Sequence, residues 1–303
     1  MWDWFFPVRN EFYTLEGFMK AVGKFPAFCG ENNREGASNL DTCKREVAAL
    51  FAHFVQESSL NSKWEETANG LDLWRQGLYY INELGCHPGS AGEGHAACNY
   101  IWGGWSNEAW PPQPGAQYHG RGPFQLSYNF NYGAFSNVFV ESRYDSKMHF
   151  LTHPELVAQD GYTAFAAGLW FYMTPQSPKP SMHDVMTGFF EPNEKDQAVG
   201  IKGAFGSTIN IINGGIECGG GMNSKAKKRS TSYLHFVEEF GLDPDEETDL
   251  DCATEGSFPM GGAGDSFGYF EVGSNGSCKL VSWQTGYSMY ARDDYKRCVC
   301  DMG

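Results

Sequence analysis

Glu57 is the first residue in this sequence placed to move a proton in a sheltered setting. It closes the run Phe54-Val55-Gln56-Glu57-Ser58-Ser59. Val47, Leu50, Phe51, Phe54 and Val55 fall at i, i+3, i+4, i+7 and i+8, a single apolar stripe that predicts a helix facing a core. At the helical advance of about 100° per residue, Glu57 lies beside Leu50, at the edge of that stripe. A carboxyl group there is expected to be partly desolvated, which favours its protonated form. That is the state a glycosidase's general acid requires. An ordinary boundary glutamate would occupy the same position.

Glycoside hydrolysis needs a second carboxylate. Glu65, Glu66, Glu83 and Glu93 all follow within one irregular stretch, and their spacing alone does not choose among them. Further on, Tyr118-His119-Gly120-Arg121-Gly122-Pro123-Phe124-Gln125-Leu126-Ser127-Tyr128-Asn129-Phe130-Asn131-Tyr132-Gly133 crowds aromatics, amides and a hydroxyl into one segment. Rings such as Tyr118 stack on sugar faces, and Asn and Gln both donate to and accept from hydroxyl and acetamido groups. Core packing alone would account for Tyr128 and Tyr132, but not for so many uncharged polar groups.

The elements that must position these residues read as helices joined by long loops. Leu15, Phe18, Met19 and Val22 follow Thr14, a plausible N-cap. An apolar stretch runs from Tyr162 to Met173, with Asp160 available to cap it and Pro175 beyond its end. Ile209-Asn210-Ile211-Ile212-Asn213-Gly214-Gly215 ends in a turn signal. A helix is predicted over about Ser224–Phe240, stopped by Gly241. Its Lys227 and Lys228 read as a solvated face, the usual place for lysine. Residues 85–118 are rich in Gly, Pro, Trp and Asn, and a long irregular segment of that kind is usually functional. After Cys252, frequent glycines and spaced aromatics indicate a small β-rich appendage over 253–303. The expected architecture is mainly α and lobed, with a cleft between lobes.

Composition narrows the partners. The chain has 303 residues, a formal charge of -15, 16% aromatics, 37 glycines and nine cysteines. So acidic a chain lacks the basic field that nucleic acid or an anionic membrane surface demands. No stretch approaches the ~20 apolar residues of a membrane span. Nine cysteines without a CxxC pair favour disulfides in an oxidising compartment over a zinc site. The sequon Asn275-Gly276-Ser277 points the same way. The first residues lack a basic n-region, so any secretory signal is expected to have been removed.

Three strings, YHGRGPFQLSYNFNYG from Tyr118, LWFYMTPQSPKPSMHDVMTG from Leu169 and INIINGGIECG from Ile209, resemble the catalytic domain of glycoside hydrolase family 19 chitinases. The resemblance covers about residues 11–252 and implies a mainly α-helical, bilobal, lysozyme-like fold. It also implies endo-cleavage of β-1,4-linked N-acetylglucosamine polymers with inversion. Transferred residue by residue, it makes Glu57 the general acid and Glu83 the general base, with Ser127 helping to hold the attacking water. Gln125, Asn131, Gln176, Lys179 and Asn213 match substrate-binding positions, and Tyr118 joins them as a candidate sugar contact. Glu217 and Arg229 match a charged network around the acid. Gln56 replaces the family's usual histidine, Tyr80 replaces a cysteine of the plant pattern, and Phe130 replaces a tyrosine.

The resemblance also implies a Cys218–Cys252 disulfide. Cys86 with Cys98 has the local spacing to close the irregular loop, and Cys29 would then pair locally with Cys43. Cys278 would pair with Cys298 or Cys300, leaving one thiol over. In an inverting enzyme the two carboxyls stand about 6.5–9.5 Å apart, leaving room for water. No metal or organic cofactor is expected, since two carboxylates and a water suffice. The expected partner is chitin or its oligosaccharides, bound by a monomeric, secreted protein. A catalytically inactive chitin-binding protein and a hydrolase of chitosan or peptidoglycan are the alternatives.

Overall fold

The computed structural model describes residues 1–60, 67–68, 70–87, 89–103, 110–139, 149–267, 270–272 and 278–280. Helices dominate them. In chain order they are α1 (Trp2–Phe5), α2 (Leu15–Val22), α3 (Asn39–Ser58), α4 (Asn129–Val138), α5 (His149–Thr152), α6 (Gly161–Met173), α7 (Met182–Met186), α8 (Glu194–Ala198), α9 (Phe205–Glu217) and α10 (Ser224–Glu239). Strands β1 (Thr67–Ala68) and β2 (Leu71–Asp72) form one antiparallel pair, and β3 (Phe270–Val272) and β4 (Cys278–Leu280) another. Among the described residues no helix is long and apolar enough to cross a membrane. The chain divides into two compact units.

The first unit comprises Met1–Val8, Pro26–Gly77 and Tyr172–Gly268. Its axis is α3, started by Ser38, whose hydroxyl accepts from the Asp41 amide at 3.1 Å. The helix is buried on every side from Ala48 to Val55, not along one stripe. Ala48, Ala49 and Ala52 lack the bulk to hold neighbours away, so packed chain closes round the whole circumference. The outer turns of α3 rest on α10, where Phe51 meets Phe236 edge to face at 5.4 Å. Phe205 of α9 stacks on Tyr233 of α10 at 4.1 Å. Disulfides Cys29–Cys43 and Cys218–Cys252 lie in this unit.

Residues 253–267 pack into the same unit through a buried carboxylate. Glu255 accepts hydrogen bonds from Ser207 at 2.7 Å and Asn210 at 3.1 Å. The expected Cys278–Cys298 or Cys300 pairing and the sequon at Asn275 lie outside the described residues and side chains.

The second unit comprises Arg9–Phe25, Leu78–Phe171 and Tyr269–Gly303. Thr14 caps α2, accepting from the Gly17 amide at 3.0 Å, and Asp160 accepts from the Thr163 amide at 2.8 Å to start α6. Residues 161–170 of α6 are all buried, and its Trp170 and Phe165 organise two aromatic groups. Phe135, Phe139 and Phe150 gather round the first, and Tyr13 and Phe18 round the second. Gly133 of α4 is obligatory, because a Cβ there would stand 2.4 Å from the Trp110 ring. The irregular stretch after Gly85 is drawn in by Cys86–Cys98 and by the Tyr118 amide donating to the Asn99 carbonyl at 3.0 Å.

Candidate active site

Glu57 occupies the last turn of α3 in the first unit, and 19% of its side chain is exposed. Arg229 of α10, with no exposed surface, donates from Nη2 to Glu57 Oε1. The same guanidinium spans Glu217 through Nε to Oε2 at 3.0 Å and Nη2 to Oε1 at 2.9 Å. Asn213 Nδ2 adds a third donor to Glu217 at 2.8 Å. Burial opposes the charge on Arg229, but Glu57 and Glu217 outweigh it, so its pKa lies above the ordinary arginine value. Burial also raises the Glu217 carboxyl, yet Arg229 and Asn213 together hold it below the ordinary range. A fork between two carboxylates fixes both in place.

His53, one turn before Glu57, was not singled out in the sequence. It is fully buried, and burial, reinforced by Arg229, holds its pKa well below the ordinary histidine value. Arg229 can only donate, so His53 Nδ1 accepts from Arg229 Nη1 at 3.0 Å. Its Nε2–H then donates to Thr208 Oγ1 at 3.0 Å, and Thr208 donates onward to the Phe205 carbonyl at 2.6 Å. The available signal was the i, i+4 spacing of His53 and Glu57 on one helix face.

Asn213 sits inside α9 at φ -146°, ψ 32°, a kink through which the helix continues to Glu217. The turn signal of Asn213-Gly214-Gly215 therefore bends the helix without ending it, held by the Asn213–Glu217 bond. Lys179 Nζ donates to the Ile211 carbonyl at 2.9 Å, just ahead of the kink, and burial lowers its pKa. Gln176 closes a tight turn with Lys179 through two backbone bonds, 3.0 and 2.7 Å. Lys179, Asn213, Glu217, Arg229 and Glu57 thus form one connected set. Lys228 corrects the sequence reading: it is 1% exposed, not solvated, and donates from Nζ to Ser59 Oγ at 2.5 Å.

Glu83 lies in the second unit, half-buried, with both oxygens held. Tyr100 donates its hydroxyl to Oε1 at 2.6 Å, and the Gly120 amide donates to Oε2 at 3.0 Å. The Glu83 amide donates back to the Gly120 carbonyl at 2.8 Å. The Gly120 backbone is fixed in turn by its neighbours. Burial and Arg121 push the pKa of His119 down to about 4, so its Nε2 accepts from Arg121 Nη2 at 2.9 Å. Arg121 also donates to the Gln117 carbonyl and the Tyr132 hydroxyl, both at 2.8 Å. Gly120 packs closely on Gln125, whose side chain would have to shift to admit a Cβ, since that atom would meet Gln125 Oε1 at 2.7 Å.

The segment after Gly120 is conformationally strained. Gln125 and Tyr128 hold φ of +49° and +74°, and Tyr100 holds +45°. Each such residue costs on the order of 1–3 kcal/mol, and strain of this kind clusters at functional sites. Ser127 Oγ donates to the Gln125 carbonyl at 2.8 Å, which leaves its lone pairs to accept. Asn131 Nδ2 donates to the Ser127 carbonyl at 2.9 Å, while its buried Oδ1 has no partner among the described residues. Gln125 Nε2 is engaged with the Gly122 carbonyl at 2.9 Å. Trp102, which the sequence pattern did not single out, is 52% exposed and stands edge-on to Tyr128 and near Phe130.

Tyr118 requires a correction. Expected to contact sugar, it is completely buried, its hydroxyl accepting from the Gln113 amide at 2.9 Å and donating to the Leu151 carbonyl at 2.8 Å. Its ring packs on Tyr132, and it belongs to the core. Of the other candidate carboxylates, Glu93 is exposed and bound to the Gly89 amide, while Glu65 and Glu66 lie outside the described residues.

A sequence profile described as chitinase class I, of glycoside hydrolase family 19, matches residues 7–252. Endochitinase 2 of Solanum tuberosum is 36% identical over 253 residues, covering 84% of this chain and 70% of that protein. Chitinase 1 of Oryza sativa is 35% identical over 252 residues, covering 83% and 68%. Among solved structures, chitinase C of Streptomyces griseus has a TM-score of 0.56 at 28% identity, covering 83% of this chain and 78% of that one. The class IV family 19 chitinase of Zea mays has a TM-score of 0.52 at 26% identity, covering 80% and 87%. A profile match over most of the chain, with relatives of that similarity, establishes that this chain belongs to glycoside hydrolase family 19, the class I chitinases.

Proposed function

We propose that the chain hydrolyses chitin, cleaving internal β-1,4 linkages between N-acetylglucosamine units by single displacement with inversion. Glu57 gives its proton to the glycosidic oxygen as the C1–O bond breaks. Glu83, with Ser127 as a second acceptor, takes a proton from a water whose oxygen bonds to C1 on the opposite face. The products are a leaving sugar with a new hydroxyl and an α-anomeric hemiacetal, and solvent restores the proton to Glu57 and removes one from Glu83. The observation that carries this reading is the setting of Glu57: a partly exposed carboxyl clamped from behind by a fully buried arginine that also holds Glu217. The two fixed oxygens of Glu83 support its role as base.

Gln125 and Asn131 would contact acetamido and hydroxyl groups beside Glu83, with Trp102, Tyr128 and Phe130 offering ring faces. Gln176, Lys179 and Asn213 would hold further sugar units on the Glu57 side. Residues 1–252 form the catalytic body in this reading, with 253–303 a structural or sugar-binding extension. The buried Glu255 favours a structural role for its first part. Three disulfides support action outside the cytosol, by a monomer that engages neither nucleic acid nor membrane.

The test is digestion of an N-acetylglucosamine hexamer with the anomers resolved. Internal cleavage with α-anomeric products is expected, and Glu57→Gln should lose about 100- to 10,000-fold in kcat. β-Anomeric products, or near-normal turnover by that variant, would refute the assignment.

A further inference from the structure

Lys228 is one of two consecutive cations on α10 that reach the end of α3. Arg229 holds Glu57, and Lys228 holds Ser59, the residue that caps the same helix two positions later. Both Lys228 and Ser59 are buried, at 1% and 6% exposure. An ammonium group is among the costliest to take out of water, and an alkyl side chain of similar length would fill the same space without that cost. Retention of the amine therefore points away from packing and toward what it does at Ser59 and beside Glu57.

We propose that Lys228 is a positioning residue for the catalytic carboxyl of Glu57. This rests on the reading of Glu57 as the general acid. Lys228 ties Ser59 to α10 while Arg229 ties Glu57, so two neighbouring side chains of α10 hold the terminal turn of α3. A helix end that loses a fastening frays more readily, and the direction in which the Glu57 carboxyl presents its proton would vary with it. Lys228 also adds a second cationic site close to Glu57. Burial, then the neighbouring charge of Arg229, pushes its pKa down to about 7 against the pull of Glu57. Among the described residues, the ionisable groups around it are Glu57 and His53 of α3, Lys225 and Arg229 of α10, and Glu217 of α9, reached through Arg229. His53 is neutral, so the balance is set by two carboxylates against the basic groups of α10.

The test compares Lys228→Met, Ser59→Ala, the double variant and Glu57→Gln on the N-acetylglucosamine hexamer, with Tm recorded for each. Lys228→Met is expected to lose about tenfold in kcat, the scale of one charge-assisted hydrogen bond, with KM changed by less than about twofold. Its Tm should be unchanged or higher, since a buried charge is replaced by an apolar chain. The wild-type kcat–pH profile should carry the titration of Lys228 near 7, and that of Lys228→Met should lack it. Ser59→Ala should lower kcat in the same direction without disturbing the fold, and the double variant should match Lys228→Met alone. The proposal is overturned if Lys228→Met keeps the wild-type kcat and pH profile, or if its Tm and activity fall together. If Lys228→Met does not fold, an unchanged kcat in Ser59→Ala overturns it alone. A dead Glu57→Gln beside an unaffected Lys228→Met rejects this inference only, whereas an active Glu57→Gln rejects the reading beneath it.

Discussion

Replacing Arg229 with alanine should do more damage to the fold than any surface change, and in a pH-dependent way. The guanidinium makes four hydrogen bonds, two to Glu217, one to Glu57 and one to His53. Glu57 retains access to water, but Glu217 is 1% exposed and would be left as a buried carboxylate with Asn213 as its remaining side-chain donor among the described residues. Breaking a buried ion pair by removing one partner costs about 3–5 kcal/mol. With each kcal/mol worth roughly 2–4 °C in a protein of this size, Tm should fall by roughly 10 °C.

In the native protein Glu217 is held below the ordinary carboxyl range, so it contributes stability above that range and loses it as pH falls. In the alanine variant the sign reverses, because burial without Arg229 favours the protonated acid. The stability difference should therefore be largest near neutrality and shrink in acid, as the pH falls through the depressed native range of Glu217 and both proteins come to hold it protonated. Urea denaturation under non-reducing conditions at neutral and acidic pH measures it. A difference below about 1 kcal/mol at neutrality, or one that does not shrink in acid, refutes the argument. Arg229→Lys should fall between, since it keeps the charge and loses the fork.

Tyr100→Phe removes the hydroxyl that donates to Glu83 and should lower kcat/KM by about 10- to 100-fold on the hexamer, with Tm nearly unchanged. An unaltered kcat/KM would separate Glu83 from the reaction. His183 bridges Glu46 at 2.6 Å and Glu31 at 3.0 Å inside the first unit. Burial alone would lower its pKa, but the two carboxylates push it up to about 9 from 6.5. Its stabilisation is complete below about pH 6.5 and lost as pH rises through about 9, by up to about 3 kcal/mol. Unfolding of the wild type should show that decline, and His183→Gln should lack it.

Some of this was legible in the sequence for plain reasons. Helix α3 announced itself because apolar residues at helical spacing must face a core, and Thr14 and Asp160 because short oxygen-bearing side chains satisfy open helix amides. Lys228 was misread because lysine is usually exposed, and its burial beside Ser59 depends on the packing of α10 against α3, which residue type does not show. The Asn213 turn signal was overridden by a side-chain bond to Glu217, four residues on in the same helix, which the propensity of Asn-Gly-Gly does not register. Tyr118 was misplaced because an aromatic ring in a polar segment looks the same whether it faces sugar or core. The Tyr100–Glu83 bond had no local pattern at all, since it joins two loop residues whose approach depends on Gly120 and the disulfide between Cys86 and Cys98.

The row of hydrogen bonds behind Glu57 runs in one direction. It begins at a guanidinium, passes through His53 and Thr208, and ends at the Phe205 carbonyl, with every proton pointing away from Arg229. Reversing the row would require arginine to accept a hydrogen bond, which its chemistry forbids. The interior behind Arg229 therefore works as a proton insulator. In the proposed reaction, Glu57 would therefore be recharged between turnovers across its exposed edge, from water that enters as the departing sugar leaves.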